Sequence, residues 1–357
     1  MTDDQIKHMV ERFLSWKLPE NEFTKTQKAT LRRLMSHSAG VTVHGFRGYA
    51  VGEPLPTLIQ ILNGEKPANS APIRVDMEPG TKWRYAGGGT TIMMLSLMDI
   101  EKKPFPDILQ QKLLTPLGMT SSSYEQTLTG DRLKFAASGH YMNGKVIEGK
   151  RFIYPEMAAA GLWTTPTDLS KFAIEIGLSA QGKSNKVLSK EIACLMVTPQ
   201  IAVQGEDEMA LGFFLEHHGS QVYYGHGGQD IGFIAQLIAH QDGYGAAIMT
   251  NSDGRSNPLI NEILRSIAKE YEWKEYLPNA LEVVAVDRKS LEGYEGSYMV
   301  NSDNILRVQL RSDLLIAKST ESDEFELLPI SQTEFVRKDA DIRYVFGSKE
   351  QVTLRFP

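Results

Sequence analysis

Hydrophobic positions change their period along this chain, and the change divides it into regions. Up to about residue 125 apolar residues recur at helical spacing. "TKTQKATLRRLMSHSAG" (24–40) carries that spacing to a glycine stop at Gly40, and "FPDILQQKLLTPLGM" (105–119) carries it to Pro116 and Gly118. "TTIMMLSLMDI" (90–100) is apolar enough for a buried helix, and "TTPTDLSKFAIEIGL" (164–178) predicts a helix with Pro166 in its first turn. The first 23 residues have an acidic tip and an amphipathic pattern, without the basic and apolar regions of a signal peptide. Asn143-Gly144, between alternating segments in 139–154, predicts a hairpin with a primed turn.

From residue 209 the period becomes two. "MALGFFLEHHGSQVYYGHGGQDIGFIAQLIAHQDGYGAAIMTNSD" predicts several antiparallel strands with glycine corners, and "NPLINEILRSIAKEYEW" closes that unit as a helix. After a stretch without period, seven short alternating segments follow from 288 onward. In one of them Leu306, Val308 and Leu310 alternate with Arg307, Gln309 and Arg311, the mark of a sheet with one wet face. These boundaries predict a first domain over 1–275, a linker over 276–287 and a small all-β domain over 288–357.

Composition narrows the partners more than the fold. A 41% hydrophobic, 23% charged chain of 357 residues has the make-up of a globular protein. Its net charge of -6, with no basic run, argues against nucleic acid. No stretch of 18 apolar residues offers a transmembrane segment. The single cysteine, Cys194, excludes an intramolecular disulfide and a cysteine-rich metal site. His217, His218 and His226 lack the accompanying carboxylates of a metal motif, so no metal is expected.

One short stretch, "WRYAGGG" (83–89), points to chemistry. Three glycines behind Tyr85 let the backbone turn sharply and come close to another group, which suits a loop delivering one side chain into a cleft. Taken alone, the same residues also read as an ordinary helix lead-in. His37, between Ser36 and Ser38, suggests a Ser/His pair, although its place at a helix end favours capping or packing.

Four stretches in order change this balance: "TLRRLMSHSAG" (30–40), "EPGTKWRYAGGG" (78–89) with "PLGM" (116–119), "YPEMAAAGLWTTPTDLSKF" (154–172) and "YGHGGQDIGF" (224–233). Together they resemble the serine β-lactamase and penicillin-binding protein family, in its class C-like branch of carboxypeptidases, esterases and β-lactamase-related hydrolases. The resemblance covers roughly residues 12–275. It implies an α+β fold, β-lactamase/transpeptidase-like, with a helical subdomain and an antiparallel sheet with flanking helices. Residues 288–357 resemble the small lipocalin-like barrel that follows such domains.

The resemblance also implies roles. In the family a Ser-x-x-Lys serine attacks an acyl carbonyl, and a Tyr-x-Asn tyrosine acts as general base and then acid. Tyr85 matches that tyrosine. His226-Gly227-Gly228 aligns with the family's Lys-Thr-Gly, and the N–H of Gln229 would be an oxyanion donor. Gly87, Gly227 and Gly228 would let substrate approach the backbone, and Trp163 would line the cleft wall. The implied substrate is a small peptide, amide or ester, with no cofactor, and family members are often exported.

Three departures qualify this. Gly87 stands where the family has asparagine, and His226 where it has lysine, so a penicillinase is not expected. Ser-x-x-Lys should lie upstream, before Met1. The one occurrence, Ser266-Ile267-Ala268-Lys269, lies downstream of every partner motif and reads as chance. The expectation is therefore an N-terminally truncated domain, lacking its nucleophile and inactive alone, or else a catalytically silent homologue that binds a ligand or partner. Without the family's first strands, the strand in "GYGAAIMTNS" would leave a sheet edge open to self-association.

Overall fold

The computed structural model of the protein describes residues 15–203, 207–254, 256–277, 280–299, 305–320, 324–338, 342–347 and 352–355. The amphipathic pattern at the start of the chain lies mostly outside them. The chain forms two compact units, Met1–Tyr276 and Leu277–Pro357.

In the first unit, helices occupy less of residues 15–125 than the apolar spacing predicts. Helix α1 is only Leu31–Met35: Thr30 accepts from the Arg33 N–H at its start, and His37 turns left-handed (φ 52°) just after its end, so the helix stops before Gly40. Helix α2, Leu58–Asn63, has a Thr57/Gln60 capping box and ends on left-handed Gly64. Helix α3, Gly87–Glu101, begins with the three glycines and packs Ile92 and Leu95 with Leu34, Val41, Ile61, Leu62, Ile73 and Val75 in one core. Helix α4, Phe105–Leu109, runs on as a π-helical turn, Gln110–Leu114. Between them the chain is irregular, held by main-chain bonds such as Thr42 N–H to Arg74 O at 2.8 Å.

A two-stranded ribbon joins β1 (Tyr49–Ala50) to β2 (Phe152–Ile153). The expected hairpin in 139–154 is short, an antiparallel bridge between His140 and Val146 across a turn with Gly144 at φ 80° and Asn143 Oδ1 accepting from Lys145 N–H. An Asx turn takes the place of the primed turn because Gly144 alone adopts positive φ there. Helix α5, Pro166–Ala180, starts as its sequence predicts, with Pro166 in its first turn, and Thr165 caps it by accepting from Asp168 N–H. Its buried Asp168 accepts from Ser121 N–H, Ser122 Oγ and Lys171 Nζ, and so fixes the preceding loop.

The period-two region forms a six-stranded antiparallel meander: β3 (Ile201–Ala202), β4 (Glu208–Met209), β5 (Phe214–His218), β6 (Gln221–Asp230), β7 (Phe233–His240) and β8 (Gly245–Thr250). Alternation sends successive residues to opposite faces. Tyr224, Leu237 and Ala239 pack with Ala173 and Ile176 of α5, whereas Tyr223, Ile234 and Ile238 pack with Ile260, Leu264 and Ala268 of helix α6, Ser256–Glu270. Tyr276 completes this second cluster with Trp273. No helix among the described residues is long and apolar enough to cross a membrane.

The seven alternating segments of the second unit are seven strands in sequence order: β9 (Gly296–Met299), β10 (Ile305–Arg311), β11 (Leu314–Ser319), β12 (Phe325–Pro329), β13 (Glu334–Arg337), β14 (Arg343–Phe346) and β15 (Val352–Arg355). They make a nearly closed barrel sheet. Leu306 and Val308 are buried with Leu327, Phe335 and Phe346, while Arg307 and Gln309 are exposed. The segment before β9 lies on this unit, Val284 N–H donating to Pro329 O.

Candidate active site

The three glycines answer the question raised by "WRYAGGG". Gly87 N–H and Gly88 N–H donate to His44 O and Val43 O at 2.9 and 3.0 Å, so the start of α3 lies directly against the main chain of 42–44. A Cβ on Gly88 would overlap the Thr42 carbonyl, and one on Gly87 would meet His44 O and the Phe46 ring at 3.2 Å. Gly87 and Gly88 are thus required for close packing, and the packing sets where Tyr85 emerges. Gly87 is itself buried.

His37 holds the other side of the tyrosine. Its carbonyl accepts from Arg84 N–H at 2.8 Å and its Nδ1 accepts from Ala86 N–H at 3.2 Å, bracketing residue 85. The two rings are in contact, 4.2 Å between centroids. Accepting at Nδ1 leaves the ring proton on Nε2. Burial pushes His37 down to about 4, with His226 and His44 nearby adding to the effect, so the ring is neutral at pH 7. Ser36 and Ser38 are buried and bond to each other at 2.9 Å, which gives His37 a packing and positioning role.

His44, Phe214 and His226 complete the surround, with ring centroids 5.0, 6.4 and 5.9 Å from Tyr85. His226 bonds through Nδ1 to the Gly227 carbonyl oxygen, and burial lowers its basicity. Burial raises the Tyr85 phenol and Asp230 raises it further, so Tyr85 is a proton donor at neutral pH.

The strand carrying His226 runs past these rings. β6 pairs with β5 only through Gln221–Gly225 but with β7 from Tyr223 to Asp230. Past Gly225, residues 226–230 have a strand on one side only among the described residues. Gly227, Gly228 and Gln229 are exposed there, and a Cβ on Gly228 would meet nothing within 4 Å. The Gln229 side chain reaches Asp253 at 3.2 Å. Such a free edge accepts an extended chain by main-chain hydrogen bonds.

The remaining residues singled out from the sequence lie elsewhere. Trp163 is half-buried, edge-on to Phe233 at 5.7 Å and beneath the Arg151 guanidinium, at the far end of the β6–β7 hairpin. Ser266 is exposed on α6 and bonds to Glu262 O, away from Tyr85. His217 bonds Glu208, and His218 stacks on Tyr276. Four residues around Tyr85 escaped sequence reasoning in these roles: His37, His44, Phe214 and Asp230. Asp230 stands inside the quoted stretch "YGHGGQDIGF", but nothing in its spacing marks it.

A tyrosine delivered by a helix start against a free strand edge, in a helical subdomain beside an antiparallel sheet, defines a β-lactamase/transpeptidase-like protein. The chain belongs to the beta-lactamase family, whose model matches residues 2–269. It is similar in structure to the octameric penicillin-binding protein homologue from Pyrococcus abyssi, with a TM-score of 0.62 at 17% identity over 99% of this chain and 81% of that one. A D-stereospecific amidohydrolase from Streptomyces sp. gives 0.56 at 17% over 70% and 75%. The D-amino acid amidase from Ochrobactrum anthropi SV3 gives 0.54 at 19% over 71% and 74%. These identities establish a common fold. No curated protein matches the chain.

Proposed function

We propose that this chain carries the substrate-holding and proton-donating side of a serine-hydrolase site of the D,D-peptidase and esterase type, acting on a peptide, amide or ester carbonyl. The observation that carries the reading is Tyr85, bracketed by His37 and facing the free edge 226–230. Substrate lies along that edge, with Gly227 and Gly228 leaving room for its backbone. The Gln229 N–H supports the developing oxyanion, and His226 lines the path between strand and phenol. Tyr85, protonated at neutral pH, delivers a proton to the leaving amine or alcohol. The base half of the family's acyl-enzyme cycle needs a cation to lower that phenol, and the His37 and His226 rings against it are neutral imidazoles. The amidase and amidohydrolase names among the structural relatives favour an amide.

With Ser266 exposed on the opposite side of the sheet from α5, these residues supply no Ser-x-x-Lys to the cleft, and we expect no covalent turnover by the chain alone. Intact mass after treatment with a fluorophosphonate or fluorescent penicillin should be unchanged. A stoichiometric adduct on any serine would refute that. Gly228→Val, which fills the open edge without a clash, should weaken binding of a dipeptide amide at least tenfold. Equal binding would remove the edge from the site.

A second reading, a catalytically silent partner-binding homologue, rests on β8. Gly245–Thr250 pairs with β7 alone among the described residues, and such an edge is a template for another strand. Light scattering at high concentration should then show self-association, and a clean monomer counts against it.

A further inference from the structure

Two carboxylic acids stand at the end of the free edge with nothing among the described residues to neutralise them. Asp230 is the last residue of β6 and half-buried, and no hydrogen bond or ion pair to its side chain occurs among the described residues. Glu156 is fully buried at 0% exposure, and neither carboxylate oxygen has a hydrogen-bond partner on another of the described residues. The two belong to adjoining segments: Tyr154 Oη accepts from Ile231 N–H at 3.0 Å, which ties the Glu156 segment to the residue after Asp230. The buried Arg151 guanidinium does not compensate them, because it lies over the Trp163 ring at 5.7 Å and forms no ion pair among the described residues. Buried polar groups are normally partnered, and an orphan carboxyl at full burial calls for a proton or a cation.

We infer that Asp230, backed by Glu156, receives the ammonium group of a ligand lying on the His226–Asp230 edge, so that the site selects acyl groups bearing a free primary amine. The inference rests on the reading of that edge as the ligand cleft and deepens it. Asp230 directly follows Gln229, whose N–H faces the scissile carbonyl in that reading, and consecutive Cα atoms are about 3.8 Å apart. Carbonyl and ammonium must therefore be about one residue apart, which is the geometry of an amino-acid amide or of the N-terminal residue of a peptide. An N-acylated peptide would bring a neutral amide to the same carboxylates and leave them uncompensated.

Electrostatics agrees with this geometry. Burial pushes Asp230 up to about 7, with Glu156 adding to it, and burial alone pushes Glu156 up to about 7. Tyr85 and Tyr154, the neighbouring phenols that burial and then Asp230 push up, are uncharged at neutral pH and offer no positive charge. A bound ammonium would let the pair ionise, so binding should release protons near pH 6.5.

Calorimetric titration with phenylalanine amide, each enantiomer separately, and with N-acetylphenylalanine amide tests this without requiring turnover. At least one enantiomer of the free amine should bind ten times tighter or more than its N-acetyl form. At pH 6.5 its enthalpy should vary with the buffer's ionisation heat, reporting proton release. Asp230→Asn should abolish the preference, and Glu156→Gln, which keeps shape and removes a buried acid, should reduce both preference and proton release. Equal affinity for the two forms, or a preference that survives Asp230→Asn, overturns the amine site while leaving the edge as a cleft. If neither ligand binds, both the amine site and the cleft fail.

Discussion

Replacing Gly88 by alanine should destabilise the first unit, whereas the same replacement at Gly89 should not. Both lie in the first turn of α3, so the intrinsic helix gain over glycine, up to about 1 kcal/mol, is similar for the two. Their surroundings differ. A Cβ on Gly88 overlaps the Thr42 carbonyl oxygen and sits 3.2 and 3.3 Å from Ile73 methyl and methylene carbons, in main chain and core that cannot swing away. On Gly89 it meets the end of the Leu34 side chain at 3.4 Å, ordinary contact. Overpacking costs typically 1–3 kcal/mol, which leaves Gly88→Ala about 1–2 kcal/mol less stable and Gly89→Ala neutral or up to about 1 kcal/mol more stable. With a urea m-value of about 3 kcal/mol/M, Gly88→Ala lowers the midpoint by roughly 0.5 M at unchanged slope. The clash also pushes on residues 42–44, and His44 touches Tyr85, so Gly88→Ala should weaken cleft binding where Gly89→Ala does not. If both variants shift the midpoint in the same direction, α3 does not pack on 42–44 as described.

His37→Ala should cost about 2–4 kcal/mol, because it leaves the buried Ala86 N–H without an acceptor and puts alanine at φ 52°, while His37→Asn tolerates both and loses less, as paired urea midpoints will show. With His37 at about 4 when folded and near 6.5 when unfolded, the unfolded chain takes up more protons between those values, so stability falls as pH drops from 6.5 to 4. His37→Asn should lack that part of the acid slope, and identical slopes in the two proteins would count against a buried neutral ring. Ser266→Ala should change stability by less than about 0.5 kcal/mol and leave ligand binding untouched, since the hydroxyl only returns to its own helix at Glu262. A measurable loss of binding would give this Ser-x-x-Lys a function.

Local pattern was a good guide wherever an element's character rests on its own residues. Period-two alternation located β5–β8 and all seven strands of the second unit, because a strand with one buried face must alternate. Pro166 marked the start of α5, because a helix's first turn has no use for the N–H that proline lacks. Where tertiary contacts competed, the pattern misled. Apolar residues between 15 and 125 that read as helix mostly serve irregular segments, and α1 stops at Ser36 because His37 is drawn into the Tyr85 loop.

The family, the fold and the identity of Tyr85, His226 and Gln229 as candidates were all determined by the order of short motifs in the sequence. What surrounds those residues was decided only in three dimensions. His37 meets the loop of Tyr85 across a separation of 49 residues, β5 ends where β6 continues and so frees one edge, and Glu156 comes to lie behind Asp230 without a counter-charge. Each of these is a relation between distant segments, set by packing and desolvation. Periodicity reports which face of an element is buried, but it carries no record of what is buried against it.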